Sequence, residues 1–307
     1  MRLVFATRPS ALARWQTRWV MQALHKAHPD LVCEQKVITT RGDRILDQPL
    51  PEIGGKGVFT QELEAELLSD GVDCAVHSLK DLPVDGPAAL TIGCIPARGE
   101  AREALVSARN YSLDVLPKGA VVGTSSLRRS AQLLALRPDL QMRALRGNVD
   151  TRLRKVLEGG YDAIIVAGAG LMRLGLEERI TEWIPLETIL PAPGQGALAV
   201  QCRTSDQATL GLIAPLEDGA TRTAVTAERA FLSALGGGCA VPVAAYAATA
   251  GGDPSLIDLT GLVISADGSR AIRVSGEGPD AMELGRKLAL QALAQGAGDI
   301  LNLVEAG

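Results

Sequence analysis

Lys80 and Asp81 follow the apolar run DCAVHSL (73–79), which carries His77 and Ser78. Open α/β sheets place ligands at the C-terminal ends of their strands. A carboxylate there can stabilise a developing cation or move protons. A surface ion pair at a turn accounts for the same two residues, and local sequence alone favours it. A second concentration of chemistry runs from Thr124 to Lys155, with eight basic residues (Arg128, Arg129, Arg137, Arg143, Arg146, Arg152, Arg154, Lys155) and two acidic ones. That stretch carries +6 in a chain of net charge −4. Arginine grips carboxylate or phosphate with a planar two-pronged fork. Strand ends and helix starts add free backbone N–H groups. A solvated basic face explains Arg137 and Arg154, but explains Arg128-Arg129 beside Thr124-Ser125-Ser126 less well. Cys239 comes third. It follows three glycines, which can expose a side chain, and an accessible thiol can be a nucleophile or an attachment point. Burial is the commoner fate of a free cysteine.

Other patterns are excluded. Gly54-Gly55-Lys56-Gly57 lacks the Ser/Thr and the first glycine of a P-loop, and Arg173 stands where a dinucleotide fingerprint needs its third glycine. His25, His28 and Cys33 do not make a metal site; they read as a solvated helix end, and no metal is expected.

The elements that would position these residues repeat. Residues 2–6 read as a strand and about 10–27 as a helix with Leu12, Trp15, Trp19 and Leu24 near one face. A second strand covers 31–39, and 60–69 is a helix closed by Asp70-Gly71. Between them, 39–57 has two prolines and four glycines and reads as a long mobile loop. A strand at 120–126 enters a helix at about 127–136. LQMRALRG is strand-like, VDTRLRKVLEGG is a helix, and YDAIIVAGAG is a buried strand. Ala6–Ser10 aligns with Gly123–Ser126, and Gly71-Val72-Asp73 with Gly160-Tyr161-Asp162, which implies two similar α/β lobes. The strand at 196–202 returns to the first lobe. A helix at 221–235, three strands with a turn at Asp267-Gly268, and a helix at about 279–296 form a small α+β third domain.

Composition narrows the function further. The 307 residues are 47% hydrophobic and 21% charged, enough for ordinary cores. Aromatics make up only 3%. That scarcity, with the mild acidity, argues against single-strand nucleic-acid binding and generic polyanion binding. No stretch approaches the ~18 apolar residues of a membrane span, and the N-terminus lacks a signal-peptide core. Five scattered cysteines fit reduced thiols in a cytoplasmic protein.

Nine collinear segments resemble one enzyme family, the porphobilinogen deaminases (hydroxymethylbilane synthases). They are ATRPSALARWQ (6–16), TRGD (40–43), GGKGVFTQEL (54–63), DCAVHSLKDLPV (73–84), VGTSSLRR (122–129), LRGNVDTRL (145–153), YDAIIVAGAGLMRLGL (161–176), PAPGQGALA (191–199) and GGGCAVP (236–242). The resemblance implies two lobes like those of type II periplasmic binding proteins, hinged around a cleft, plus the small α+β domain. Its domains would be 1–97 with 197–214, then 98–196, then 219–307. It implies a transferase that condenses porphobilinogen head to tail with loss of ammonia, on a dipyrromethane cofactor bound to Cys239 through a thioether. Hydrolysis would then release linear hydroxymethylbilane for haem and other tetrapyrroles.

By the same resemblance, Asp81 is the catalytic carboxylate, facing pyrrole N–H groups and the cationic azafulvene left by ammonia. Lys80, Arg8, Arg128, Arg129, Arg146, Arg152 and Arg173 bind cofactor and substrate carboxylates, with Ser10, Thr124, Ser125 and Ser126 as further donors. Loop 42–57 is a mobile lid, and Lys56, Phe59 and Gln195 are further lid or site positions. The family expectation is a monomer without nucleic-acid or membrane partners. Two departures from the family pattern are Pro9 before Ser10, where proline is expected after the serine, and the small Ala240 after Cys239. The competing reading is a two-lobed binding or effector-sensing module for a small anion, which needs neither Lys80-Asp81 nor an exposed cysteine.

Overall fold

The computed structural model describes residues 1–44, 57–237, 241–251 and 253–305, with backbone only at 254 and 303–305. Two units emerge: residues 1–99 with 196–222, and 100–195 with 223–307.

The first unit is built on a five-stranded sheet. Its elements are β1 (Arg2–Thr7), α1 (Ala11–Ala27), β2 (Val32–Val37), the one-turn α2 (Arg41–Arg44), α3 (Gln61–Leu68), β3 (Cys74–Ser78), and β4 (Leu90–Cys94). The strand order is β2-β1-β3, then a late strand, then β4. Ser10 starts α1 by accepting a bond from the Ala13 N–H at 3.3 Å. The chain reverses after α3 at Asp70, whose φ of 58° is left-handed; the reversal falls on the aspartate, not on Gly71. Strand alternation then assigns the two faces. Leu3, Phe5, Cys74 and Val76 pack with Val20 and Leu24 of α1, while Ala6 and Ala75 pack with Leu63 and Leu67 of α3.

The second unit repeats the scheme with β5 (Glu103–Val106), β6 (Val121–Gly123), α4 (Leu127–Leu136), β7 (Gln141–Arg143), α5 (Val149–Leu157), β8 (Ala163–Ala167), α6 (Gly168–Arg173) and β9 (Glu182–Ile184). Its order is β7-β6-β8-β5-β9. The late strand of the first sheet is β10 (Leu198–Arg203), antiparallel to both β3 and β4. The same place in the second sheet is filled by β5, antiparallel to β8 and β9. Each sheet thus has one reversed strand, in a register 2-1-3-n-4 that is the type II periplasmic-binding-protein topology. The aligned aspartates play one part twice. Asp73 accepts from the Val4 N–H at 2.7 Å, and Asp162 accepts from the Val121 N–H at 2.8 Å.

After α7 (Gln207–Ile213) come α8 (Gly219–Ala234), β11 (Val243–Ala250), β12 (Asp253–Ile264), β13 (Ala271–Gly278), α9 (Ala281–Ala294) and α10 (Ala297–Glu305). The three strands form an antiparallel sheet over which Phe231, Leu284, Leu288 and Ile300 build one core. Gly268 turns the β12–β13 hairpin at φ +75°. This α+β layer shares a small apolar contact with α4, through Ala131, Leu262 and Ile264.

Two expectations shift. The buried stripe of α1 is Ala13, Gln16, Thr17, Val20 and Leu24, with Trp15 and Trp19 only half-buried at its flank. Small residues face the sheet there, and Gln16 reaches through to donate to Ser78 at 2.9 Å. The long loop begins with α2, and residues 45–56 lie outside the described residues.

Candidate active site

In the first unit, β1 and β3 are adjacent and parallel, so the segments leaving them emerge side by side at one sheet edge. Residues 8–10 leave β1. Leu79–Asp81 form a 3₁₀ turn directly after β3, tied to the late strand by the Leu79 N–H on the Ala197 carbonyl at 3.0 Å. Lys80 and Asp81 are therefore held on a hydrogen-bonded turn, half-buried. Arg8 is fixed by Asp43: its Nε lies 3.2 Å from Oδ2, and its Nη2 donates to Oδ1. Its guanidinium also sits 4.2 Å over the Phe59 ring. Burial alone would raise the Asp43 carboxyl. The bonds from Arg8 and Thr40 outweigh it and hold the group below the usual carboxylate range. The Ser10 hydroxyl is engaged as the α1 cap.

Beneath this edge lies a buried polar chain. His77 meets the Gln201 side-chain oxygen at 3.1 Å, and the Gln201 amide donates to Glu64 at 3.3 Å. Because Gln201 presents its oxygen, the imidazole must carry its proton on Nε2. Burial lowers the His77 pKa to about 4, with Gln201 opposing and Arg8 adding to the drop.

In the second unit, β6 and β8 are likewise adjacent and parallel, and Thr124–Ser126 leave β6 at the edge where α6 leaves β8. The loop is closely tied. Ser125 donates to the Leu145 carbonyl at 2.9 Å, the Ser126 N–H donates to Thr124 at 3.1 Å, and Ser126 caps α4. The arginine island divides by what each side chain touches. Arg137 pairs with Asp139 and donates to the carbonyls of Leu113 and Leu116, so it staples the lobe and is not a solvated residue. Arg143 caps the Gly160 carbonyl, and Arg154 is exposed beside Glu158. Arg128 and Arg129 are buried and share one carboxylate, Glu103, at 2.7 and 2.8 Å. Burial lowers the Arg128 pKa and Glu103 opposes that.

Arg152 donates to the Gly147 carbonyl at 2.8 Å. Arg173, at the end of α6, is pushed down to about 10 by burial and stays charged at neutral pH. Gln195 is fully buried and donates to the Ala101 carbonyl at 2.8 Å. Sequence reasoning missed Glu103, Asp43 and the His77–Gln201–Glu64 chain. Asp43 lay inside the quoted TRGD segment, whereas nothing local marks Glu103.

Two guanidinium nitrogens of this edge, Arg129 Nε and Arg146 Nη1, are buried with no hydrogen-bond partner among the described residues. Buried donors without acceptors are costly, so they point to an absent acceptor, and their charge points to an anion. Cys239 and Lys56 lie outside the described residues. Cys74, Cys94 and Cys202 are buried, and burial raises Cys94 to about 12 and Cys202 to about 11, which leaves them unreactive. No group of three or more metal-ligating side chains occurs among the described residues.

Comparison with known proteins decides the family. Residues 3–211 match the family model "Porphobilinogen deaminase, dipyromethane cofactor binding domain", and residues 222–294 match "Porphobilinogen deaminase, C-terminal domain". The chain belongs to the porphobilinogen deaminase family. The porphobilinogen deaminase of Brevibacillus brevis is 51% identical over 96% of this chain and 95% of its own length. That of Bacillus subtilis is 48% identical over 97% and 95%. Among solved structures, a YaeC-family lipoprotein from Enterococcus faecalis is 12% identical, covering 70% of this chain and 90% of its own, with a TM-score of 0.42. As in the family, the cofactor is dipyrromethane. It carries carboxylate side chains, and the two unpartnered guanidinium nitrogens suit such a group.

Proposed function

We propose that this protein is a hydroxymethylbilane synthase that joins porphobilinogen units head to tail, with Asp81 as its catalytic carboxylate and Cys239 as the attachment point. The observation that carries the assignment of residues is the pair of buried, unpartnered guanidinium nitrogens on an otherwise acidic chain. Porphobilinogen bears an acetate and a propionate, so a growing chain accumulates carboxylates. Arg129 and Arg146 offer those groups buried, charged donors, where such bonds are strongest. Arg8, Lys80, Arg128, Arg152 and Arg173, with Ser10, Thr124, Ser125 and Ser126, complete the cationic and hydroxyl-bearing sets on the two sheet edges. The dipyrromethane, when bound, supplies the pyrrole carbon to which the first unit is joined.

Asp81 accepts hydrogen bonds from pyrrole N–H groups of the incoming unit. As that unit's aminomethyl nitrogen departs as ammonia, positive charge spreads into its ring, and a fixed carboxylate stabilises that charge. A proton leaves the joined carbon to restore the aromatic ring. The turn after β3 keeps the carboxylate from swinging away. Four buried or half-buried free thiols support a reducing, cytoplasmic setting, and we read the chain as a monomer. Among the described residues no helix is long and apolar enough to cross a membrane.

Intact mass with and without porphobilinogen tests the assignment. The wild type should carry a two-pyrrole adduct on Cys239 that grows in single-pyrrole steps. Asp81→Asn should keep the adduct and stop turnover, and Cys239→Ser should carry none. An unmodified wild type that ignores porphobilinogen after reconstitution would refute the activity and leave a two-lobed anion-binding protein. Near-normal turnover by Asp81→Asn would refute the role of Asp81.

A further inference from the structure

Glu103 opens β5 and is fully buried. Its register partners are Ala167, the last residue of β8, and Ile184 of β9. That places a carboxylate at the C-terminal edge of β6 and β8, where α4 and α6 begin. One oxygen accepts from Arg128 and the other from Arg129, and Arg128 also donates to the Leu190 carbonyl at 2.7 Å. Buried charge is costly when it is left uncompensated. Here two cations share one carboxylate, and Arg129 Nε, on the cation with the fewer bonds, has no partner.

We infer that Glu103 is a positioning residue for the reaction: it holds the Arg128 and Arg129 guanidiniums in fixed, adjacent orientations and leaves their surplus positive charge for one carboxylate of the bound pyrrole chain. The inference rests on the porphobilinogen reading above. Glu103 itself touches no ligand, because an anion repels the ligand's anion. It acts through the two arginines, pre-setting their forks so that less ordering is needed on binding.

The test uses apo protein from cells unable to make porphobilinogen, titrated with porphobilinogen and read by intact mass as the fraction carrying the two-pyrrole adduct. Melting temperature of the apo protein is read in parallel. Glu103→Gln keeps the size but loses the charge and one acceptor. The porphobilinogen concentration for half-loading should rise by about tenfold or more, beyond anything a lower melting temperature alone produces in the folded fraction. Glu103→Asp keeps the charge on a shorter arm and should shift half-loading by about threefold, a partial rescue. It also serves where the glutamine variant does not fold. Wild-type half-loading by folded Glu103→Gln, or by Glu103→Asp where only that variant folds, would make Glu103 a structural residue and overturn the inference alone. A wild type that gains no pyrrole mass would overturn the inference together with the reading beneath it.

Discussion

The deepest-buried titratable group near the first sheet edge makes a quantitative test of the fold. His77 sits on β3, three residues before Lys80, held neutral by burial and with its Nε2–H on the Gln201 oxygen. Its ordinary pKa of 6.5 falls to about 4 in the folded protein. The unfolded chain therefore binds the proton more tightly. Stability is fully present above the unfolded value and is lost as pH falls toward the folded one. Between about pH 8 and about pH 5 the linkage amounts to about 2 kcal/mol, and below about pH 4 it approaches about 3 kcal/mol.

His77→Gln isolates this contribution, because the glutamine amide still donates to Gln201 but cannot titrate. Urea unfolding of wild type and variant, both carrying Trp183→Phe, leaves Trp15 and Trp19 of α1 to report on the first unit. The variant's own change in stability cancels in the comparison of pH slopes. The wild type should lose about 2 kcal/mol more than the variant over that interval. With three histidines in the chain, the imidazole resonances can also be assigned by substitution of His25 and His28. The His77 signal should remain that of the neutral Nε2–H form at about pH 5. Equal pH slopes for the two proteins, or a His77 signal titrating near the ordinary value, would refute the buried chain.

Two further outcomes follow from the packing. In β12, a Cβ added at Gly261 would stand 2.4 Å from the fully buried Phe231 ring, so Gly261→Ala should cost about 1–3 kcal/mol, read as a lowered melting transition. Adding Phe231→Leu should recover part of that loss; no recovery would mean the clash lies elsewhere. Asp43→Asn removes the charged half of the Arg8 fork and should cost the first unit about 1–3 kcal/mol at neutral pH. Because the Asp43 carboxyl is held below its ordinary range, its contribution is lost as pH falls, so the gap between variant and wild type should close in acid; a pH-independent gap would contradict the pairing.

Much of the fold was legible because it is local. The helices placed at about 10–27 and 127–136 and over VDTRLRKVLEGG are there, each started by a local side-chain cap from Ser10, Ser126 or Asn148. The repeat was legible because Asp73 and Asp162 are needed by the same backbone N–H in each lobe. The segment around Glu103 was not. β5 is four residues long, wholly buried and without alternation, and it starts with a glutamate that makes sense only beside arginines 25 and 26 residues later. β4 and β9 are also short strands without a clear period, and α10 follows α9 too closely to stand out. At the site, the arginine island was sorted only in outline, with Arg128-Arg129 set apart from Arg137 and Arg154 by the neighbouring Thr124-Ser125-Ser126. What each touches shows only in the structure: Arg137 is tied to carbonyls, and Arg129, though paired with Glu103, keeps an unpartnered Nε among the described residues.

The sorted charges explain why two lobes of one topology need not do the same work. Each lobe fixes arginine at the C-terminal edge of its parallel strands with an internal carboxylate. In the first, Asp43 meets Arg8 one to one among the described residues. In the second, Glu103 meets Arg128 and Arg129 one to two, and the cluster keeps a surplus positive charge. A ligand rich in carboxylates gains most from the second arrangement, because desolvated charge of opposite sign is waiting there. On the first edge, Asp43 holds a single arginine among the described residues, and on the proposed reading Asp81 serves the transient cation there beside Arg8 and Lys80. On the proposed reading, the second edge's larger share in binding anions comes from how many arginines its internal carboxylate holds, not from a difference in fold.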